Sequence, residues 1–209
     1  MRRLLLAAAL ASLTAPATAA TLVSFYKSPS VQLNTLALAD AAVAAGPPVA
    51  TFTSTGIDYP AGSINTNNSS NTTLSAFLGV DAPSLSGGQN VDLQDSVFVF
   101  EGFLDLAPGV DTLVVGSDDG FRLTVDGNVL GSTGTRGFTE TTFFQELGTG
   151  VVPFTLLYFE RGGNAGVEFS QDGNIVVGVA GPPAAIPLPP AALLLGTALA
   201  GLAVLRRRT

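Results

Sequence analysis

The 209-residue chain contains no histidine, no cysteine and no tryptophan, and only 12% of its residues are charged. Without histidine and cysteine there is no Ser-His-Asp triad, no cysteine nucleophile, and none of the usual zinc, copper, haem or iron–sulfur ligand sets. Any metal chemistry must therefore use oxygen. No disulfide can form, so stability in an oxidising compartment rests on core burial alone. Basic residues are scarce away from the ends. Arg2, Arg3 and Arg206 to Arg208 sit at the termini, leaving Lys27, Arg122, Arg136 and Arg161 against all sixteen acidic residues, so residues 20–185 carry a net charge of −12. Such a body repels phosphate backbones, which argues against nucleic-acid partners and is compatible with hard cations or neutral glycans.

What is present is apolar and glycine-rich, with 46% hydrophobic residues, 24 Gly, 13 Pro and 13 Phe. Two of the apolar runs lie at the ends. Residues 1–19 read Arg2-Arg3, then an apolar run from Leu4 to Leu13, then Ala17-Thr18-Ala19, the order of a secretory signal peptide. That core of about ten residues is shorter than the roughly 20 that a membrane span needs. Residues 186–209 begin Ile186-Pro187-Leu188-Pro189-Pro190, continue as an uncharged apolar stretch to Leu205, and close on Arg206-Arg207-Arg208. A transmembrane helix over 188–205 is predicted, with its arginine end in the cytoplasm. A permanent anchor and a removable sorting signal both satisfy this pattern. The Pro-Leu-Pro-Pro motif, short helix and Arg tail resemble the PEP-CTERM class of sorting signals in its Val-Pro-Leu-Pro-Ala variant, with Ile186 and Pro190 in place of Val and Ala. The resemblance implies an exosortase-type processing enzyme as a partner and a membrane-held intermediate. It also implies a destination at or beyond the surface of a Gram-negative cell, often one that makes exopolysaccharide.

The exported body, residues 20–185, is long enough for one well-buried domain. Leu33 to Ala45 carries Leu33, Leu36, Ala39 and Val43 at helical spacing and stops at Gly46-Pro47-Pro48, predicting one short N-terminal helix. Asn65 to Thr73 is Asn, Ser and Thr only and predicts a solvated loop; its sequons, Asn68 and Asn71 among them, are read as chance. Six segments rich in Phe, Val, Leu and Thr then predict strands: 97–106, 110–117, 121–125, 138–146, 152–160 and 165–170. Asp126-Gly127-Asn128 supplies the residues of a tight hairpin, and Asp172-Gly173-Asn174 repeats that turn chemistry. The fold class is mostly β, an antiparallel β-sandwich or jelly-roll-like domain.

One constellation points to chemistry: Gly116-Ser117-Asp118-Asp119-Gly120, between two strong strands. Adjacent side chains in a strand face opposite ways, so two neighbouring aspartates do not normally share a ligand. They either cap a polar turn or, across a cis peptide, converge on one cation. Calcium, which takes six to eight hard oxygen ligands, is the ion that carboxylates, carbonyls and sugar hydroxyls together satisfy.

The stretch Gly116 to Gly127, with Phe103, Leu156-Leu157-Tyr158-Phe159-Glu160 and Gly163 to Phe169, resembles the protective-antigen-type β-sandwich over a core of about 95–172. That family occurs in bacterial toxins, glycosidase insertions and fungal flocculin-like adhesins. In its adhesin branch the Asp-Asp pair holds calcium, which is ligated in turn by vicinal sugar hydroxyls, and an asparagine and carbonyls from a later loop complete the shell. The resemblance carries the metal-ligand role onto Asp118 and Asp119; Glu160, at the position after the Tyr-containing strand, is taken as a third metal ligand, and Asp118, Asp119, Gly120, Arg122 and the nearby but unaligned Asn164 as the expected carbohydrate-binding set. Arg136 is a further arginine within reach of a glycan. No tryptophan is available to stack on a sugar, and Tyr158 and the phenylalanines are expected in the core.

The function so implied is non-catalytic, calcium-assisted carbohydrate binding or adhesion at the cell surface or in the extracellular matrix, linked to exopolysaccharide or biofilm. A structural surface or matrix protein that binds no sugar is the alternative. A carboxylate hydrolase using a pair from Glu140, Glu146, Glu160 and Glu168 is the remote one.

Overall fold

The computed structural model describes residues 20–28, 32–62, 65 and 68–182. The signal peptide expected at 1–19 and the sorting signal and membrane helix expected at 186–209 lie outside the described residues. Among the described residues no helix is long and apolar enough to cross a membrane.

Period-two alternation builds both layers. In β4 (Ser96–Leu106), Phe98, Phe100, Leu104 and Leu106 face inward, as do Phe154, Leu156 and Tyr158 of β9 (Gly150–Glu160) and Phe121, Leu123 and Val125 of β6 (Gly120–Val125). Beside them run β1 (Thr21–Lys27), β2 (Ala50–Ser54) and β7 (Asn128–Thr133), giving a six-stranded antiparallel sheet in the order β2-β1-β4-β9-β6-β7. The opposing sheet has the path β11-β10-β5-β8, formed by β5 (Asp111–Asp118), β8 (Thr139–Gln145), β10 (Gly166–Gln171) and β11 (Asn174–Ile175). The short β3 (Asp58–Tyr59) also pairs with β10.

Leu113, Val115, Val167 and Phe169 of the second sheet close the core against the first. Phe98 is its aromatic hub, with ring centroids 4.9 Å from Phe25, 5.5 Å from Tyr158, 5.7 Å from Phe77 and 6.1 Å from Phe100. Burying each such side chain stabilises the fold by about 1.5–3 kcal/mol.

The predicted helix forms as α1 (Leu36–Ala44), starting three residues later than expected because Thr35 is its N-cap and accepts from the Leu38 amide. Ala39 and Ala42 cover the outer side of the six-stranded sheet at Val97, Leu157 and Phe159, joined by Leu33. A second short helix, α2 (Leu74–Leu78), was not expected; Thr73 caps it, and it buries Leu74, Phe77 and Leu78. The stretch before it is correspondingly less solvated than its composition suggests. Ser69 is fully buried, with its amide donating to the Gly163 carbonyl and its carbonyl accepting from the Leu93 amide.

Both tight turns form as expected, with Asp126 and Gly127 at φ 49° and 76°, and Asp172 and Gly173 at φ 50° and 78°. Gly120 is required for space. A Cβ there would lie 2.4 Å from Phe159 Cε1 and 2.7 Å from the Thr133 carbonyl oxygen. Gly120→Ala is therefore expected to lower stability by about 1–3 kcal/mol through overpacking, whereas Gly134→Ala, with nothing within 4 Å of its Cβ, stays within about 0.5 kcal/mol of the unsubstituted chain. Paired denaturant titrations check this; equal midpoints would contradict the close approach.

Candidate metal and ligand site

Strand parity places a carboxylate where an apolar side chain would ordinarily sit. Along β9 the inward series Phe154, Leu156, Tyr158 ends at Glu160, which is completely buried at the edge of the core. Two crossovers between the sheets meet it there. Asp118, the last residue of β5, pairs with Gly166 of β10, and Gly120, the first of β6, pairs with Phe159 of β9. The step Asp118-Asp119-Gly120 thus leaves the second sheet for the first beside the step from Glu160 to Gly166, which runs the other way. The Asp118–Asp119 peptide is cis. Carboxylate oxygens of Asp118, Asp119 and Glu160 all lie within 4.8 Å of one another.

Backbone donors fix the aspartates. Asp119 Oδ2 accepts from the Arg161 amide at 2.8 Å, and the Gly162 and Arg136 amides also hydrogen-bond its carboxylate. Asp118 receives the Phe138 amide, and its Oδ2 accepts from Asn65 Nδ2 at 3.3 Å. The peptide between them is anchored too: Tyr158 Oη donates to the Asp118 carbonyl at 2.6 Å, and Ser117 Oγ to the Asp119 carbonyl at 2.7 Å. Arg136 Nε and Nη2 donate to the same Ser117 oxygen at 3.2 and 3.0 Å, and its guanidinium lies over the Phe121 ring. Tyr158 is therefore a core residue that also holds the site.

Crowding three carboxylates in a dry place disfavours their charge. Burial, then the charge of Asp119, pushes Glu160 up to about 9. Burial, then Asp119, raises Asp118, and burial raises Asp119 against the amides that hold it. Glu160 Oε1 makes no hydrogen bond, although its Oε2 lies 3.2 Å from Tyr158 Oη. A divalent cation would reverse this penalty, and an all-oxygen donor set of carboxylates fits a hard ion such as calcium or magnesium.

The other expected site residues are placed differently. Gly120 adjoins the aspartates and provides space rather than a ligand. Arg122 does not join the group. It faces outward on β6, and its Nη1 and Nη2 donate to Asp40 Oδ2 and Oδ1 at 2.9 and 2.7 Å, tying α1 to the sheet. Asn164 is exposed in the 161–164 segment whose amides hold Asp119, and Glu140 and Glu146 are exposed as well. Glu168 is half-buried. Sequence reasoning missed Asn65 and Ser69, whose only signal was an Asn- and Ser-rich composition.

No protein-family model matches the chain, and no curated protein matches it in sequence. Its fold is shared with solved structures. It is similar to the PA14 sugar-binding domain from an RTX adhesin, with 26% identity, a TM-score of 0.64, and coverage of 77% of this chain and 96% of that one. The PA14 domain of the MpAFP antifreeze protein is similar at 24% identity and TM-score 0.65, over 83% and 93% of the two chains. The A domain of epithelial adhesin 6 from Candida glabrata, solved with Galb1-3GlcNAc, is similar at 13% identity and TM-score 0.53, over 81% and 87%. The chain has a PA14-like antiparallel β fold.

A pH dependence follows from the carboxylates. Glu160 titrates near 9 in the fold against an ordinary 4.5, so the fold favours its neutral form. Its contribution is whole below about pH 4.5 and is lost as the pH rises towards about 9. In chelator, the melting temperature is expected to fall over that window, and Glu160→Gln to flatten the fall. A profile that Glu160→Gln leaves unchanged would contradict the assignment.

Proposed function

We propose that the chain is a non-catalytic carbohydrate-binding adhesin domain that uses calcium held by Asp118, Asp119 and Glu160. The observation that carries this reading is the convergence of three buried carboxylates at an inter-sheet crossover of a PA14-like fold. Calcium accepts hydroxyls as ligands alongside carboxylates, so a partly filled shell is a receptor for a sugar diol. The similarity to a sugar-binding domain of an RTX adhesin and to a Candida glabrata adhesin domain solved with Galb1-3GlcNAc supports a glycan as the partner class.

Carboxylate hydrolysis of glycosides needs a pair roughly 5–5.5 or 6.5–9.5 Å apart across an open cleft. Here one oxygen from each of the three carboxylates lies within 4.8 Å of the others in a buried setting, and the Asp119 group is tied down by the Arg161 amide, an arrangement suited to holding an ion. The reading includes display at a cell surface. The signal-peptide and PEP-CTERM-like ends of the sequence support export, processing by an exosortase-type enzyme, and a role with exopolysaccharide or biofilm.

The test is a thermal melt of the full chain in calcium and in chelator. Saturation at 100 times the dissociation constant adds about 2.7 kcal/mol, or about 5–11 °C at this size. The shift is expected to vanish in Asp118→Asn and Asp119→Asn, and glycan-array binding to require calcium. Equal melts in both buffers would contradict the calcium reading and favour a structural surface protein.

A further inference from the structure

Asn65 and Ser69, expected in a solvated loop, both come against the carboxylate trio. Building on the cation site of the preceding section, we propose that they complete its shell, adding the Ser69 hydroxyl and the Asn65 amide oxygen to the carboxylates of Asp118, Asp119 and Glu160.

Ser69 is 0% exposed, and its Oγ makes no well-formed hydrogen bond; the same holds for Glu160 Oε1. The two side chains are nevertheless neighbours, with the Ser69 hydroxyl beside the Glu160 carboxylate. A buried polar atom left without a partner forfeits its hydration with nothing in return. A cation satisfies two such oxygens together. Ser69 cannot drift away, since its amide donates to the Gly163 carbonyl at 2.7 Å and its carbonyl accepts from the Leu93 amide at 3.0 Å. Gly163 follows directly on Arg161 and Gly162, whose amides hold Asp119. The same segment therefore aligns Ser69 and the aspartate.

Asn65 approaches from the other side, with Nδ2 3.3 Å from Asp118 Oδ2. Half a turn of the amide presents its oxygen to an ion there instead. Both additions are neutral, so they extend the shell without adding to the negative excess of three carboxylates over a divalent ion. One oxygen from each of the five residues leaves one to three positions of calcium's six to eight for water or ligand hydroxyls.

The experiment uses the full chain with calcium chloride, and separately with terbium as a luminescent substitute. Ser69→Ala and Asn65→Ala are each expected to weaken calcium binding about tenfold. In chelator, both should melt within roughly 2 °C of the unsubstituted chain. Terbium decay compared in H2O and D2O counts waters on the ion, and each variant is expected to gain about one. Unchanged affinity and water count in both variants, with binding lost in Asp119→Asn, would overturn this inference and keep the carboxylate site. No binding of either ion by the unsubstituted chain would overturn both. Asn65 is half-buried, so its variant decides the matter even where Ser69→Ala unfolds.

Discussion

Two strand pairings in different sheets, Gly120 with Phe159 and Asp118 with Gly166, set the geometry on which the site depends. Because β5 and β6 belong to opposite layers, the single residue between their paired ends, Asp119, must bridge the sandwich. The chain from β9 to β10 bridges it alongside in the reverse direction. Register in an antiparallel sheet is fixed by which face is buried, and a one-residue slip would turn every side chain over. The phenylalanines of β6 and β9 thus determine where Asp119 and Glu160 stand. Gly120 makes the bridge possible, since any side chain there would collide with Phe159.

The energetic consequence is a deliberate mismatch at the rim of an otherwise apolar core. Glu160 occupies the next inward position after Tyr158 and is buried with one oxygen lacking a hydrogen bond. Such a group costs stability in its charged form and is retained where something else answers its charge. Around it, nearly every polar contact is directed at holding the aspartates still: amides of residues 136, 138, 161 and 162, and the hydroxyls of Ser117 and Tyr158. Arg136 is spent on Ser117 and Thr141, and among the described residues no ion pair reaches the trio, although the nearby charges of Arg136 and Arg161 favour the charged aspartates. That combination, rigid donors with an incompletely compensated charge, suits a cation site better than a turn cap.

Much of the fold was legible in the sequence. The strands at 97–106, 121–125 and 152–160 announce themselves by alternation and by the turns between them, and each forms within a residue or two of expectation. β1, β2, β7 and β11 were not marked: they are short or polar, or, like β1, next to a segment read as an address. Asp118 and Asp119 stood out by their Ser-Asp-Asp-Gly setting, and Glu160 through the family resemblance, although counting in twos from Phe154 also places it inward. Asn65 and Ser69 were not legible, because what brings them to the site are bonds to residues far along the chain, Ser69 to Gly163 and Asn65 to Asp118. Arg122 shows the converse. Alternation along β6 turns it outward, but its partner Asp40 lies on a helix whose docking no local pattern reveals.

The most direct test of the central claim is a crystal structure of the protein grown in calcium, with terbium exchanged in and located by anomalous scattering. The account predicts one strong peak at about 2.3–2.6 Å from carboxylate oxygens of Asp118, Asp119 and Glu160. A clean anomalous map at that position, or a peak only at exposed carboxylates elsewhere, would contradict it.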